Sequence, residues 1–435
     1  MRFYIRTVGC PRNEVDSLAI EGHLLLRGHK TVSSPDAADV VIVNTCSFIE
    51  AARRESVEAI FSTLKEAPNS YLVIAGCLAQ RYPEELSQEL PEANLIVGTN
   101  DIEKIIPLVE KREKKQTVFL PDGDVSWLVR DEKQRAAHPF AYLKVADGCD
   151  NLCSYCAIPG IRGRFRSAPR EKLVEHTRAL LQTGIKEIII VAQDTALYGV
   201  DIYGEPSLHL LLSDIASLSY DFWIRVMYLH PAHITDKILD VISNEPKIIP
   251  YLDIPIQHIS DRILSAMNRK TTSREIYRLI DRIKSRLPDV TLRTSLIVGF
   301  PGETERDFEK LVNLVSRGCF EHIGIFRYSA EEGTTAFLLP ERVDKQTIGF
   351  REEILSLLQE EQFTKIARNR CGKLFFALPD RKTEGIVFAR AYFDAPDVDR
   401  EIELLDKPPL GSFITVRIKD FADNRYIGER VKEQE

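Results

Sequence analysis

Long apolar stretches, an excess of basic residues and a dense cysteine framework are all missing from this chain of 435 residues. No run approaches the roughly 20 apolar residues that a membrane-spanning helix needs, and the N-terminus has the pattern of a strand rather than of a signal peptide. Eight unevenly spread cysteines are too few for a secreted disulfide scaffold. They suit a reducing compartment, where thiolates survive as metal ligands. We therefore expect a cytoplasmic protein without a membrane segment.

The charge balance excludes a further class of protein. The chain has 58 Lys and Arg against 65 Asp and Glu, which gives a net charge of −7. A general binder of polyanions would need a basic face, so an acidic chain is better matched to a basic partner. The apolar and charged fractions, 44% and 28%, are those of ordinary globular proteins, and the length predicts two to four domains.

Three cysteines stand close together in the segment Gly-Cys-Asp-Asn-Leu-Cys-Ser-Tyr-Cys, at Cys149, Cys153 and Cys156. Three thiolates at this spacing can hold three corners of a cubic iron–sulfur cluster and leave the fourth iron open, as a catalytic metal requires. A structural zinc site is the alternative. It would prefer two Cys-x-x-Cys pairs or a Cys/His set, and the sequence has no second pair nearby. We predict a catalytic cluster.

A second group of cysteines follows the strands of a predicted sheet. The first hundred residues alternate helical patterns with apolar runs at 3–8, 40–44, 71–75 and 95–97, as in a doubly wound, flavodoxin-like parallel sheet. Cys10, Cys46 and Cys77 come directly after three of those runs. Loops beyond the carboxyl ends of parallel strands meet at one edge, so we expect the three thiols to converge and hold a second cluster. The alternative is three unrelated loop cysteines.

The rest of the chain predicts two further domains. Residues 111–138 have the composition of a linker and separate an N-terminal domain, 1–110, from a central domain, 139–370. The central domain predicts an incomplete TIM-like (β/α)6 barrel, with strand-like runs at 141–145, 187–192, 223–227, 251–254, 291–298 and 322–326. Residues 371–435 predict a small antiparallel β-barrel. Its 11 Lys and Arg against 13 Asp and Glu are unlike a nucleic-acid-binding barrel.

The spacing Cys149-x3-Cys153-x2-Cys156, with Tyr155 before the last cysteine, resembles the signature of radical S-adenosylmethionine (SAM) enzymes. The resemblance implies that the open iron binds SAM and, once reduced, cleaves it to a 5′-deoxyadenosyl radical. Gly299, in Gly-Phe-Pro-Gly-Glu after a barrel strand, is similar to the family's glycine-bearing SAM contact.

Four more residues are candidate cofactor contacts. Gln193 and Asp194 end a barrel strand and are predicted to be polar contacts of SAM or substrate, although Asp194 could instead cap the following turn. Arg293 is predicted to line the cavity. Phe326 is predicted to cover the adenine, with aromatic core packing as the alternative. For Tyr155 the alternative to a SAM contact is shielding of the cluster.

Taken together, the N-terminal cysteines, the central barrel and the small terminal barrel resemble the methylthiotransferases. The resemblance implies that Cys10, Cys46 and Cys77 hold a second 4Fe-4S cluster, which carries the methylated sulfur, and that the terminal barrel is a TRAM domain. It also implies an electron donor of the flavodoxin or ferredoxin type.

The substrate branch is indicated by segments 9–17, 44–50 and 156–163. They resemble the branch that methylthiolates the β-carbon of an aspartate in small-subunit ribosomal protein twelve, and the non-basic terminal barrel favours a basic ribosomal protein over tRNA. Two alternatives stay open at this point: a tRNA methylthiotransferase acting on a modified adenosine, and a non-catalytic iron–sulfur electron carrier or redox sensor.

Overall fold

The computed structural model describes residues 1–100, 102–120 and 138–431. Its first sheet contains the six strands β1 (Arg2–Thr7), β2 (Lys30–Thr31), β3 (Val40–Thr45), β4 (Tyr71–Gly76), β5 (Leu95–Val97) and β6 (Thr117–Phe119). The helices that accompany them are α1 (Pro11–Leu26), α2 (Glu50–Glu66), α3 (Cys77–Arg81), α4 (Pro83–Glu89) and α5 (Ile102–Lys111). All six strands are parallel. Their order, β2-β1-β3-β4-β5-β6, confirms the flavodoxin-like sheet.

Strand β6 lies inside the segment that the sequence predicts as a linker. The N-terminal sheet therefore continues past residue 110. Three residues with half-exposed side chains carry too little apolar pattern to indicate a strand. The segment forms a strand because it pairs with β5. The remainder of that predicted linker, 121–137, lies outside the described residues.

A second sheet forms the central domain. Its strands are β7 (Phe140–Lys144), β10 (Glu187–Val191), β11 (Trp223–Val226), β12 (Ile248–Asp253), β13 (Thr291–Val298) and β14 (His322–Arg327). They are parallel, in the order β14-β13-β12-β11-β10-β7, so the first and last strands form the two edges of an open barrel. The predicted incomplete (β/α)6 barrel is confirmed. A two-stranded hairpin, β8 (Ala146–Asp147) with β9 (Arg166–Ser167), stands above β7.

The helices of the central domain are α6 (Ile158–Arg162), α7 (Arg170–Gln182), α8 (Val200–Tyr203), α9 (Leu208–Ala216), α10 (Asp236–Asn244), α11 (Asp261–Ala266), α12 (Ser273–Arg286), α13 (Glu305–Ser316) and α14 (Lys345–Arg370). The longer ones cover the outer face of the open barrel, whereas α6 contacts α3 of the N-terminal domain. Outward-facing strand residues such as Ile188 and Ile224 join helix residues such as Leu211 in one continuous core. No helix in the described part of the chain is long and apolar enough to cross a membrane.

The terminal domain is a closed five-stranded barrel. Its strands are β15 (Leu374–Thr383), β16 (Ile386–Ala391), β17 (Ile402–Leu404), β18 (Ile414–Ala422) and β19 (Arg425–Arg430), joined in the order β15-β16-β17-β19-β18. The sequence predicts an antiparallel barrel, and that is correct for every pair except β17 with β19, which is parallel. A ring of five strands cannot alternate direction all the way round, so closure forces at least one parallel pair.

The loop between β16 and β17 inserts into the open barrel and fixes the terminal domain there. The hydroxyl of Tyr142 donates to Asp397 over 3.0 Å, and that of Tyr251 donates to Asp399 over 2.6 Å. Arg225 donates to the carbonyl of Tyr392 over 2.9 Å. These barrel residues lie in the first four positions of their strands, so the terminal domain occupies the amino-terminal side of the barrel. The carboxyl-terminal strand ends remain for the site.

Candidate active site

The structure gathers the three N-terminal cysteines at the carboxyl edge of neighbouring strands. Cys10 precedes α1 after β1, Cys46 follows β3, and Cys77 begins α3 after β4. The approach of the loops is close, since a Cβ atom built on Gly9 would lie 2.6 Å from the Cβ of Cys46 and 3.0 Å from its Sγ. Gly9 has a φ of +107°, which also favours glycine. The absence of a side chain here lets the loops of Cys10 and Cys46 meet.

Asn13 joins these loops from the first turn of α1. Its amide nitrogen donates to the carbonyls of Val8 and Thr45, both at 2.9 Å, and these residues precede Cys10 and Cys46. Its carbonyl oxygen accepts from Arg162 over 2.7 Å. Sequence reasoning missed this role, and the only signal was the position of Asn13 three residues after Cys10.

Arg162 is the second residue that sequence reasoning missed. Its guanidinium contacts the Sγ of Cys77 at 3.3 Å and pairs with Asp16 at 2.8 Å and Asp147 at 3.2 Å. Lys144 lies 3.0 Å from both of these carboxylates. Although burial opposes it, the charges of Lys144 and Arg162 hold the pKa of Asp147 well below its usual range. Two cations and two anions thus balance in a buried network beside the N-terminal cysteines.

The second set, Cys149, Cys153 and Cys156, lies in the loop enclosed by the β8–β9 hairpin. The backbone N–H of Cys149 donates to the carbonyl of Gly163 over 3.1 Å, and that of Cys156 to the carbonyl of Cys153 over 3.0 Å. A side chain faces each of two sulfurs. Asn151 donates to Cys149 over 3.5 Å, and Arg269 donates to Cys153 over 3.6 Å.

The two cysteine sets adjoin each other. Cys77, from the N-terminal set, packs against Ala157, which directly follows the last cysteine of the other set, and against Ile161 of α6. Arg162, at the end of the same short helix, reaches back to the Sγ of Cys77. The two sets therefore meet where the N-terminal sheet faces the carboxyl ends of the barrel strands.

The thiols fit iron–sulfur clusters better than single ions. Burial, together with the neighbouring Cys77, raises the pKa of Cys46 to about 12, and burial with the neighbouring Cys153 raises that of Cys156 to about 12. Thiolates there require a bound cation at neutral pH. Within the described residues, neither trio brings its three sulfurs within 4.8 Å of one another. Sulfurs around one zinc ion, at 2.3 Å from the metal, stand about 3.8 Å apart. The wider spacing disfavours the structural zinc alternative.

Asp194 is connected to the Cys149 loop. Its Oδ2 accepts from the amide of Asn151 over 2.8 Å and lies 2.7 Å from Nδ1 of His233. Burial opposes ionisation, but His233, His230 and Asn151 together lower the pKa of Asp194. The side chain makes no capping hydrogen bond to the turn that follows, so the alternative of a turn cap is wrong.

Gln193 and Tyr155 also lie beside the cysteines. Gln193 donates to Asp147 over 2.7 Å, while its carbonyl oxygen is buried without a hydrogen bond. Tyr155 packs against the apolar group that contains Ile297 and Phe300. Burial raises its pKa well above the usual range, so the phenol remains neutral.

Three of the predicted contacts have other partners. Arg293 pairs with Asp253 at 3.6 Å and with Asp399 of the terminal domain at 3.4 Å. A Cβ on Gly299 would lie 2.3 Å from a side-chain carbon of Ile348, so packing against α14 requires glycine there. Phe326 lies near the end of edge strand β14 and is 47% exposed. Within the described residues, no hydrogen bond joins these three to a cysteine.

Family models match all three domains. A model described as the uncharacterized protein family UPF0004 matches residues 2–98, the radical SAM superfamily matches 143–315, and the TRAM domain matches 371–431. The ribosomal protein uS12 methylthiotransferase RimO of Thermotoga maritima is 42% identical over 424 residues, which cover 97% of each chain. The chain belongs to the RimO family of radical SAM methylthiotransferases.

Other RimO relatives match over similar lengths. The Acetivibrio thermocellus protein is 38% identical and covers 99% of this chain and 98% of its own length. The Geobacter sulfurreducens protein is 39% identical, with 97% of each chain covered. Among solved structures, the radical SAM methyltransferase TsrM of Kitasatospora setae has a TM-score of 0.57 at 14% identity and covers 89% of this chain and 80% of its own. That likeness supports the fold alone.

Family membership fixes the class of chemistry. Radical SAM enzymes use SAM and a 4Fe-4S cluster, and the RimO family has a second cluster. The protein is therefore a SAM-dependent enzyme that inserts sulfur. The alternative of a non-catalytic electron carrier or redox sensor is wrong.

Proposed function

We propose that this enzyme methylthiolates the β-carbon of an aspartate in ribosomal protein uS12, the small-subunit protein twelve. The observation that carries the proposal is the adjoining position of the two cysteine sets, where Cys77 packs against Ala157. Methylthiolation requires a radical source and a sulfur source that reach one substrate atom, and two adjoining cluster sites provide them. The RimO relatives, which match along almost the whole chain, carry uS12 in their names.

Within this proposal, Cys149, Cys153 and Cys156 bind the cluster that holds SAM, and Cys10, Cys46 and Cys77 bind the second cluster. When bound, these groups supply the electron that cleaves SAM and the methylated sulfur that is transferred. The protein's own contribution is positioning. Hydrogen bonds to thiolate sulfur tune a cluster's potential, and Asn151 and Arg269 make such contacts with the first set.

The polar residues behind Cys149 hold the first set in place. Asp194 accepts from Asn151, so the amide that faces the Cys149 sulfur is itself oriented by a buried carboxylate. Gln193 has an unused carbonyl oxygen and Tyr155 a partly buried ring, and we assign both to contacts with SAM. Gly299 and Phe326 remain weaker candidates for SAM contact. We assign Arg293 to joining the terminal domain to the barrel, because two carboxylates already neutralise it.

The partners follow from the same proposal. The terminal domain has a net charge of −2 over residues 371–435, which favours a basic ribosomal protein over tRNA. A ribosomal substrate places the enzyme in the cytoplasm. Reduction of the first cluster requires an electron donor, and we propose one of the flavodoxin or ferredoxin type.

A competition assay tests the function. Protein reconstituted with iron and sulfide is incubated with SAM and dithionite in the presence of equal amounts of purified uS12 and tRNA, and both are analysed by mass spectrometry. We expect a methylthio mass gain on one aspartate of uS12 and none on tRNA, and no gain on either with the C153A variant. A methylthio product on tRNA alone would contradict the proposed substrate.

A further inference from the structure

Arg12 lies between the two halves of the site. It is in the first turn of α1, two residues after Cys10, and its Nη1 donates to the carbonyl of Ala192 over 3.1 Å. The guanidinium carbon lies 4.9 Å from the ring centre of Tyr228. Ala192 and Tyr228 follow the carboxyl ends of β10 and β11. Arg12 therefore spans the gap between the N-terminal cysteines and the carboxyl-terminal face of the barrel.

Arg12 faces the Cys10 thiol and the Tyr228 ring, but no carboxylate neutralises its charge within the described residues. The neighbouring buried cations are neutralised by carboxylates: Arg162 pairs with Asp16 and Asp147, and Arg293 pairs with Asp253 and Asp399. No carboxylate in the described ranges lies within ion-pair distance of Arg12.

Arg12 also keeps donors for a ligand. An arginine has five N–H donors in a planar fork, and the hydrogen bond to the carbonyl of Ala192 uses one of those of Arg12. The side chain is partly exposed. Such a fork binds a carboxylate through two parallel hydrogen bonds, and the pairing is strong where water is largely excluded. Arg12 thus has both the charge and the geometry for an incoming carboxylate.

We propose that Arg12 binds the side-chain carboxylate of the substrate aspartate and makes the enzyme specific for it. The inference rests on the proposed function, in which sulfur is attached to the β-carbon. The β-carbon is bonded directly to the carboxylate carbon. Binding of the carboxylate by Arg12 therefore also fixes the position of the β-carbon. Arg12 is two residues after Cys10, so the bound carboxylate lies beside the cysteine set assigned to the sulfur-carrying cluster.

Arg269 is the nearest competitor for this role. It too has no carboxylate partner in the described part of the chain. However, its Nη1 donates to Cys153, it is only 8% exposed, and its other amino group is bonded to the Pro255 carbonyl. It therefore lies on the radical-generating side, away from the sulfur-carrying set.

A binding assay on the loaded enzyme tests the inference without turnover. The reconstituted holoenzyme, with SAM but no reductant, is titrated with a fluorescent uS12 peptide that carries either the target aspartate or asparagine. We expect the wild type to prefer the aspartate peptide. R12M should weaken binding of the aspartate peptide about 10- to 100-fold and leave the asparagine peptide unchanged. R12K, which keeps the charge but loses the fork, should fall between.

R6M is the matched control, because Arg6 lies on β1, the strand that precedes Cys10, but pairs with Glu66 away from the site. It should retain the wild-type preference. Iron content and the visible spectrum of each variant report whether both clusters are present, and R12K decides the question if R12M loses one. An unchanged aspartate preference in the R12 variants, or equal weakening of both peptides, would overturn the inference. If wild-type enzyme fails to modify uS12 at all, the proposed function fails instead.

Discussion

The two cysteine sets are held together in different ways. Cys149, Cys153 and Cys156 lie within one loop, and a short hairpin with local backbone hydrogen bonds is enough to hold them. The other set comes from the ends of three separate strands, and it exists only while β1, β3 and β4 stay paired. The first site is therefore local, whereas the second depends on the whole N-terminal sheet.

The largest effect should come from removing one cysteine of each set. If the assignments are correct, C153A abolishes cleavage of SAM, whereas C46A retains cleavage but forms no methylthio product. The quantities to measure are 5′-deoxyadenosine by chromatography and modified uS12 by mass spectrometry. C319A, in neither set, serves as the control and should keep both activities. Equal loss of SAM cleavage in C153A and C46A would show that the two sets do not divide the work in this way.

Arg162 lies between the two cysteine sets, so its replacement tests how much the buried ionic network there contributes to the stability of the protein. R162M leaves Asp16 and Asp147 with only Lys144, and loss of one partner from a buried ionic network costs about 3–5 kcal/mol. Denaturant unfolding under anaerobic conditions measures this. The control is R170M, which removes a half-exposed pair with Asp214 and should cost less than about 1 kcal/mol. Similar losses in the two variants would mean that the buried network contributes little.

One glycine beside each set gives a matched pair. Gly9 and Gly163 both have positive φ, +107° and +73°, but a Cβ meets the Cys46 side chain at Gly9 and nothing within 4 Å at Gly163. Both alanine variants carry backbone strain of about 1–3 kcal/mol. G9A adds a clash of about 1–3 kcal/mol and should therefore lose more stability than G163A. It should also lose the iron of the N-terminal set, measured by colorimetric assay, while G163A retains full iron. Full iron in G9A would contradict the close approach of the loops.

The smallest expected effect is a loss of stability at acidic pH. Burial and the nearby Arg269 lower the pKa of His230 from an ordinary value of 6.5 to about 3, with Asp194 opposing and His233 and Lys270 assisting. Below about pH 6.5 His230 binds a proton in the unfolded chain but not in the folded protein, so the free energy of unfolding falls as the pH drops. The loss between pH 7 and pH 5 should be about 2 kcal/mol. In H230Q the stability difference between these two pH values should shrink by that amount. An unchanged difference would show that His230 does not titrate on unfolding.

Much of the fold was predictable because the signals are local. Buried parallel strands such as Val40–Thr45 are continuous apolar runs, and every predicted strand of the barrel has a counterpart in the structure. Strand β6 was missed because its three residues are held by pairing with β5 rather than by their own pattern. The parallel pair β17–β19 follows from ring closure, which no local pattern records.

The site shows the same division between local sequence signals and tertiary contacts. By itself the sequence determined the spacing of Cys149, Cys153 and Cys156, the placing of Cys10, Cys46 and Cys77 after strands, and the family to which they belong, since each is a matter of neighbours along the chain. Only the tertiary structure decided that Arg162 and Asn13 support Cys77, that Arg293 serves the terminal domain, and that Arg12 faces no carboxylate in the described residues. Charge compensation is a property of groups that meet in space, and these partners come from different domains.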